Sequence, residues 1–211
     1  MLWAVRGAER FYEVSFLSMK HLISVDVETD GRIPGRSSMR QLGAVAYDMK
    51  GQELSSFIMN LAPLPGSKPS LSTMKFWALE PEAWAQVQKS PQPPEVVIQK
   101  FHSWLIQFQK PRMLMAPVLH DGMWIRYYME IFIGSSNLWH NAVDLRSVLL
   151  PLTGQYEGDY KLNIESLTGK TVENRFPHYA LEDARTQGRL LFDMLEWAKE
   201  NLGGDLWRKV E

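Results

Sequence analysis

The sequence predicts a single α/β domain with a mixed β-sheet and helices packed on its faces. Of its 211 residues, 45% are hydrophobic, and Trp, Phe and Tyr are all well represented. A chain of this size and composition can bury one sizeable core. Strand-like segments come first without an intervening helix, and later strand-like segments alternate with helical ones. This order implies a mixed sheet flanked by helices.

Three strands open the predicted domain. Residues 22–29 form an apolar run rich in β-branched side chains, which is typical of a buried central strand. A loop rich in Gly, Pro and Ser follows at residues 30–38. Residues 41–48 and 53–61 then flank a turn signal at residues 49–52. Two strands joined by so short a turn must be antiparallel neighbours.

Helices are predicted in the middle of the chain. Residues 73–79 and 81–89 have the pattern of two short helices, the second of which begins with Pro81 in its first turn. Residues 94–108 predict an amphipathic helix. Its apolar residues recur at helical spacing and are Val97, Phe101, Trp104, Leu105 and Phe108.

Two further strands and three helices complete the prediction. A short strand within residues 113–119, ended by Pro117, precedes a helix over residues 122–133. A second short strand around residues 141–143 leads into a helix over residues 145–152. Asp144 is the predicted N-cap of that helix.

The last helix is predicted to cover about residues 179–201 and to end at Gly203 and Gly204. No internal repeat or linker indicates a second domain. We therefore expect one domain over residues 19–211, preceded by an N-terminal extension of residues 1–18.

Charge and cysteine content exclude several classes of protein. The net charge of −1 and the pI near 6.5 do not fit a protein that coats long duplex DNA, so nucleic-acid contacts should be local. The absence of cysteine excludes disulfides, thiolate metal sites and a cysteine nucleophile. Residues 1–19 carry too many charges for a signal peptide, and no apolar run reaches the roughly 20 residues of a membrane span. We expect a soluble, cytoplasmic protein.

The first candidate site motif is Asp26-Val27-Glu28, near the end of the first strand. Strand alternation places Asp26 and Glu28 on the same face. Two like charges on an otherwise apolar strand are costly unless a cation neutralises them. A pair of solvated carboxylates at a strand end is the alternative interpretation.

The second candidate is Asp121, which follows an apolar run and precedes Gly122 and a helix. Taken alone, Asp121 is better explained as a helix N-cap, and Glu130 is the fallback candidate. His120 and Asp121 also form the pair found in metal phosphohydrolases of the HD type. Those enzymes carry the pair on a helix of an all-helical domain, so this alternative predicts a different fold.

The third candidate motif contains His178 and Asp183. Pro177 places His178 at the entry of the last helix, and Asp183 is predicted in its second turn. Five residues turn a helix by about 140°, so the two side chains share a site only if His178 lies on the entry loop. A helix-capping imidazole and a surface aspartate are the alternatives.

Taken in order, these motifs resemble the DEDDh family of 3′–5′ exonucleases. The resemblance runs from about residue 22 to residue 195, and residues 25–31 and 178–184 match the first and third family motifs. Family members usually have an aromatic residue before the second aspartate, where this chain has His120. Residues 73–85 are similar to the sub-group around the mycobacterial exoribonuclease RNase AS.

This resemblance implies the ribonuclease-H-like fold, with a five-stranded sheet of three antiparallel and then two parallel strands. It also implies a metal-dependent 3′–5′ exonuclease that acts on single-stranded RNA or DNA with a free 3′ end and releases nucleoside 5′-monophosphates. Many relatives are dimers, which suggests a homodimer. No membrane partner is expected.

The resemblance also assigns roles to the site residues. Asp26 would bridge two divalent ions, Glu28 and Asp183 would complete the first ion's site, and Asp121 would act through water. His178 would take the proton from the attacking water. Hard oxygen ligands without thiolates favour Mg²⁺ or Mn²⁺.

Substrate contacts are predicted around this site. By resemblance, backbone groups near Thr29 and Gly31 would hold the terminal sugar. Phe76 and Trp77 could stack on bases. Trp77 and Trp84 are seven residues apart, so a core-facing stripe is the alternative for Trp77.

The loop after the first strand adds three arginines that could contact backbone phosphates, or could simply be solvated: Arg32, Arg36 and Arg40. A competing function from another class is a catalytically weak nucleic-acid-binding module on the same fold. A metal-dependent nuclease assay separates this alternative from an exonuclease.

Overall fold

A computed structural model of the protein describes residues 20–134, 142–154, 158–174 and 176–202. The predicted extension of residues 1–18, the helix stop at Gly203 and Gly204, and the start of the predicted strand at residue 141 lie outside these residues.

The centre of the protein is a five-stranded mixed sheet. In the order β3-β2-β1-β4-β5, the first three strands pair antiparallel, and β1–β4 and β4–β5 pair parallel. This arrangement confirms the predicted fold class. The strands are β1 (His21–Thr29), β2 (Met39–Asp48), β3 (Glu53–Asn60), β4 (Pro111–Met115) and β5 (Val143–Asp144).

Seven helices are described around the sheet. None of the helices in these ranges is long and apolar enough to cross a membrane. They are α1 (Leu71–Trp77), α2 (Pro81–Val87), α3 (Pro94–Leu105), α4 (Val118–Ile133), α5 (Leu145–Thr153), α6 (Tyr160–Thr168) and α7 (Ala180–Asn201).

Helix α6 was not predicted, although its two ends carry recognisable signals. Asp159 accepts a hydrogen bond from Lys161 N as the N-cap, and Gly169 ends the helix in the left-handed region at φ 69°. Of its own residues only Ile164 is fully buried. The apolar periodicity that marks a helix in a sequence is therefore weak here.

The start of α4 differs from the prediction. Strand β4 ends at Met115, and Pro117 adopts an extended conformation before the helix begins at Val118. Asp121 thus lies within the first turn of α4, and its interpretation as an N-cap is wrong. Asp121 takes a first-turn position because Pro117 is the extended N-cap residue, so helical backbone begins at Val118, four residues before the predicted start at residue 122.

The two faces of the sheet bury separate hydrophobic clusters. Alternate residues of β1, including Ile23 and Val25, pack with α3 and α4. The opposite face, including Leu22, packs with α5, α6 and α7. Asp26 and Glu28 have the same parity as Leu22, so both carboxylates point to the face covered by α7.

Candidate active site

Strand β2 brings the start of α7 next to β1. Gly43 and Gln41 pair with Asp26 and Glu28 in the antiparallel register. A Cβ atom at Gly43 would lie 2.3 Å from the backbone carbonyl carbon of Ala180, so only glycine permits this close approach. The side-chain oxygen of Gln41 accepts a hydrogen bond of 2.8 Å from Ala180 N.

This contact places Asp183 beside the carboxylates of β1. Asp183 lies in the first turn of α7 rather than in the second, because the helix begins at Ala180, one residue later than predicted. Its side chain is 14% exposed, so it is not an ordinary surface aspartate. One carboxylate oxygen from each of Asp26, Glu28 and Asp183 lies within 4.8 Å of the others. The predicted convergence of these three residues is therefore present.

Side chains around the cluster donate hydrogen bonds to it. The amide nitrogen of Gln187 lies 2.9 Å from Asp26 Oδ1. Asp183 Oδ1 accepts from Asn174 Nδ2 at 2.8 Å and from Lys161 Nζ at 3.3 Å. Gln187 follows Asp183 by four residues, so helical spacing could have identified it. Lys161 escaped prediction because α6 itself was missed.

Asp121 reaches the same site from α4. Its side chain is buried, and its Oδ1 lies 3.1 Å from His120 Nδ1. Its Oδ2 is buried without a hydrogen-bond partner in the described part of the chain. Glu130, the fallback candidate, is exposed and lines a separate groove with Met123. Asp121 is therefore the α4 carboxylate whose charge acts on Asp26 and Glu28, although the three oxygens that converge within 4.8 Å do not include one of its own.

Burial and mutual repulsion raise the pKa values of the carboxylates at this site. Burial raises the pKa of Asp26 well above its usual value, and Asp121, Asp183 and Glu28 raise it further, while Lys161 opposes them. Burial, followed by repulsion from Asp183 and Asp121, likewise raises the pKa of Glu28. Burial also raises the pKa of Asp121, against the hydrogen bond from His120.

These properties match the requirements of a cation site. When a cation binds between crowded carboxylates, its charge offsets their mutual repulsion and favours their ionised form. The orphaned Oδ2 of Asp121 and an all-oxygen donor set suit a hard divalent ion, held directly or through water. The residues present therefore fit the metal that the resemblance implies.

His178 lies on the loop before α7, as the spacing required. Its φ of 61° is in the left-handed region, which non-glycine residues seldom adopt. Tyr179, not His178, is the N-cap residue, so the helix-capping interpretation is wrong. The imidazole meets Phe76 edge-on at 4.8 Å and Trp77 at 6.3 Å. Such unusual backbone geometry is characteristic of functional positions.

A cleft of about 520 Å³ opens beside the cluster and His178. Five of the seven residues predicted to contact substrate are among its lining residues, and Arg36 and Arg40 are not. The five are Thr29, Gly31, Arg32, Phe76 and Trp77.

Two aromatic residues in the cleft wall have different environments. Trp77 is buried, donates from Nε1 to Thr29 O at 2.9 Å and stacks on Trp84 at 4.9 Å. The core-facing interpretation therefore holds for Trp77. Phe76 is 38% exposed and is free to meet a ligand.

Arg40 does not face the cleft. It is buried, pairs with Asp30 at 3.4 Å and lies over the ring of Trp84 at 5.3 Å. Its predicted contact with phosphate is wrong, because a guanidinium held by a buried carboxylate and an aromatic ring is already satisfied.

Comparison with known proteins agrees with the fold and with the predicted resemblance. No protein-family model matches the sequence. The chain is 28% identical over 192 residues to the 3′-5′ DNA exonuclease Cap18 of Escherichia coli, a match that covers 84% of this chain and 94% of that protein. The nuclease domain of 3′hExo, a DEDDh family member bound to rAMP, superposes with a TM-score of 0.66 at 13% identity, covering 84% of this chain and 92% of that one. The resemblance to the DEDDh 3′–5′ exonucleases is confirmed.

Two other solved nuclease structures extend the agreement in fold. E. coli exonuclease I in complex with single-stranded DNA superposes with a TM-score of 0.64 at 16% identity, over 90% of this chain. Cell-death related nuclease 4 gives a TM-score of 0.65 at 17% identity, over 85% of this chain. The chain spans 42% of exonuclease I and 64% of nuclease 4.

The fold also decides against one alternative. A five-stranded sheet is incompatible with the all-helical domain of HD-type phosphohydrolases, so that interpretation of His120 and Asp121 is wrong. The similarity to the RNase AS sub-group stays a prediction.

Proposed function

We propose that this chain is a metal-dependent 3′–5′ exonuclease that hydrolyses single-stranded nucleic acid and releases nucleoside 5′-monophosphates. The observation that carries the proposal is the convergence of Asp26, Glu28 and Asp183 within 4.8 Å, with His178 at the adjoining cleft. Carboxylates on a strand and a helix, brought together from distant parts of the chain, form a preorganised cation site beside a candidate base.

In this proposal Asp26, Glu28 and Asp183 hold Mg²⁺ or Mn²⁺, and Asp121 contributes through water. Two such ions stabilise the attacking and leaving oxygens of a displacement at phosphorus. Asn174 and Gln187 orient the carboxylates through their amide donors. Each amide donates to one oxygen of its carboxylate, Oδ1. The second oxygen of the same carboxylate is not used by that amide and can bind the ion in this proposal.

His178 accepts the proton of the attacking water in this proposal. An imidazole exchanges protons in the neutral range, and a positioned base contributes about 10²–10⁴-fold to the rate. The contacts with Phe76 and Trp77 hold the ring at the cleft rather than in solvent. The left-handed backbone at His178 lets the side chain leave the helix and face the cleft.

A single strand with a free 3′ end is the proposed substrate. The cleft offers the exposed ring of Phe76 for base stacking and Arg32 for a phosphate. By resemblance, Thr29 and Gly31 hold the terminal sugar. A net charge of −1 suits a short contact with a strand end better than a broad contact with a duplex. A homodimer stays a prediction.

The test uses 5′-labelled single-stranded DNA and RNA with Mg²⁺, with Mn²⁺ and without metal. We expect a ladder that shortens one nucleotide at a time, only with metal, and strong inhibition by a 3′-terminal phosphate. Asp183→Asn serves as the inactive control. Efficient cleavage of a circular single strand would contradict the proposal, and binding without metal-dependent turnover would favour a binding module.

A further inference from the structure

Lys161 places a positive charge directly on the acidic cluster. Its ammonium nitrogen lies 3.3 Å from Asp183 Oδ1, and its charge also acts on Asp26. The side chain extends from α6 towards Asp183, and only 31% of it is exposed. The DEDDh motifs do not include this lysine.

The backbone of Lys161 is held in place by the N-cap of helix α6. Lys161 lies in the first turn of α6, and its N–H donates to the N-cap Asp159 at 2.8 Å. Helix α6 packs against α7, the helix that carries Asp183. The position of the ammonium group relative to Asp183 is therefore set by the packing of α6 on α7, and not by a loop.

Asn174 offers a natural comparison at the same atom. The side-chain Nδ2 of Asn174 donates to Asp183 Oδ1 at 2.8 Å, and its side-chain Oδ1 accepts from Phe176 N at 3.2 Å. Asp183 Oδ1 thus receives one neutral and one charged donor. The two donors bond the same atom and differ in charge, so variants of each can separate an effect of charge from the loss of a hydrogen bond.

We propose that Lys161 is a built-in counter-ion of the metal site, which stabilises the metal-free cluster and competes with the divalent cation for it. The inference rests on the proposed metal site. A cation on the cluster lowers the repulsion among Asp26, Glu28 and Asp183 when no metal is bound, and it repels a metal that arrives. Lys161 therefore sets the metal concentration at which the site fills.

The experiment measures Mn²⁺ binding to the full chain by calorimetry in the absence of nucleic acid, and the melting temperature without metal. Lys161→Gln and Lys161→Met should each bind Mn²⁺ about tenfold more tightly than the wild type. Without metal, both should melt about 2–4 °C lower, because the repulsion is no longer opposed. Lys161→Arg keeps the charge and should resemble the wild type in both measurements.

Asn174→Ala is the matched control for loss of a donor without loss of charge. It should bind Mn²⁺ as tightly as the wild type or more weakly, never more tightly. Unchanged or weaker Mn²⁺ binding by both neutral Lys161 variants would overturn the inference and make Lys161 a positioning residue for Asp183. If the wild type itself bound no Mn²⁺, the proposed function would fail instead.

Discussion

At the scale of single residues, the acidic cluster makes the metal-free protein sensitive to pH. The folded state raises the pKa of Asp26 and Glu28 well above their usual values of 3.8 and 4.5. In the range between the usual and the raised values, the folded state therefore binds more protons than the unfolded state. The free energy of unfolding must decrease as pH rises through that range.

We expect Asp26→Asn to remove much of this pH dependence. At neutral pH without metal, the variant should be about 1–3 kcal/mol more stable than the wild type, because a neutral amide removes the cost of burying a charge and also the repulsion from the neighbouring carboxylates. Urea unfolding of both metal-free proteins between pH 5 and 8 provides the measurement. Mg²⁺ should stabilise the wild type appreciably and the variant little. Equal slopes against pH in the two proteins would show that the carboxylates do not repel one another as described.

His178 allows a test that separates a base from a metal ligand. His178→Ala should lower turnover by about 10²–10⁴-fold and keep metal-induced thermal stabilisation, because the imidazole is outside the three-carboxylate cluster. Single-turnover cleavage and melting with and without Mn²⁺ measure both properties. Phe76→Leu removes the ring contact with His178 and the proposed base stacking but keeps the imidazole, so it should retain more activity than His178→Ala. Loss of stabilisation by Mn²⁺ in His178→Ala would make His178 a ligand.

At the scale of elements, the contact between β2 and the start of α7 positions the site. A Cβ atom at Gly43 would overlap the backbone of Ala180 and Leu181, at 2.3 and 2.4 Å. Gly43→Ala should therefore push α7 away, destabilise the protein by about 1–3 kcal/mol or more, and weaken metal binding by moving Asp183. Thermal unfolding and Mn²⁺ titration measure the two effects.

Gly122→Ala is the matched control within α4. An added Cβ there would meet Met115 Sδ at 3.4 Å and Val118 at 3.5 Å, which are ordinary contacts. Alanine is favoured over glycine inside a helix by roughly 0.5–1 kcal/mol, so this variant should be neutral or slightly stabilised. Equal losses in both variants would mean that the close approach at Gly43 does not matter.

At the scale of the whole molecule, β1 is the central strand of the five-stranded sheet. His21 pairs with Asp48 on β2 and with Pro111 on β4, so β1 is bonded on both sides from its first residue. We therefore predict that a chain beginning at Met19 folds, melts within about 2–4 °C of the full chain and cleaves at the same rate.

Melting curves and exonuclease assays of the shortened chain test this prediction. Insolubility or a much lower melting temperature would mean that residues 1–18 contribute to the core. Their large apolar side chains, Trp3, Phe11 and Phe16, lie outside the described residues. The full chain serves as the reference under the same metal concentration.

The sequence by itself determined the order of the five strands and of every described helix except α6, and it located the site motifs. A period of two residues put Asp26 and Glu28 on one face of β1, and apolar runs marked β1 and the antiparallel strands. The spacing of His178 and Asp183 required the histidine to lie on the entry loop, and it does. These features depend on a few adjacent residues, so local pattern is enough to predict them.

Only the tertiary structure decided which distant groups meet. Gly43 and Gln41 carry no motif, yet their contacts with Ala180 bring Asp183 to Asp26. Packing likewise places Arg40 in a buried ion pair with Asp30, buries Asp121 where its charge acts on Asp26, and brings Lys161 within 3.3 Å of Asp183. Such contacts join residues far apart in the chain, and no local periodicity encodes them, because they arise from how whole elements pack.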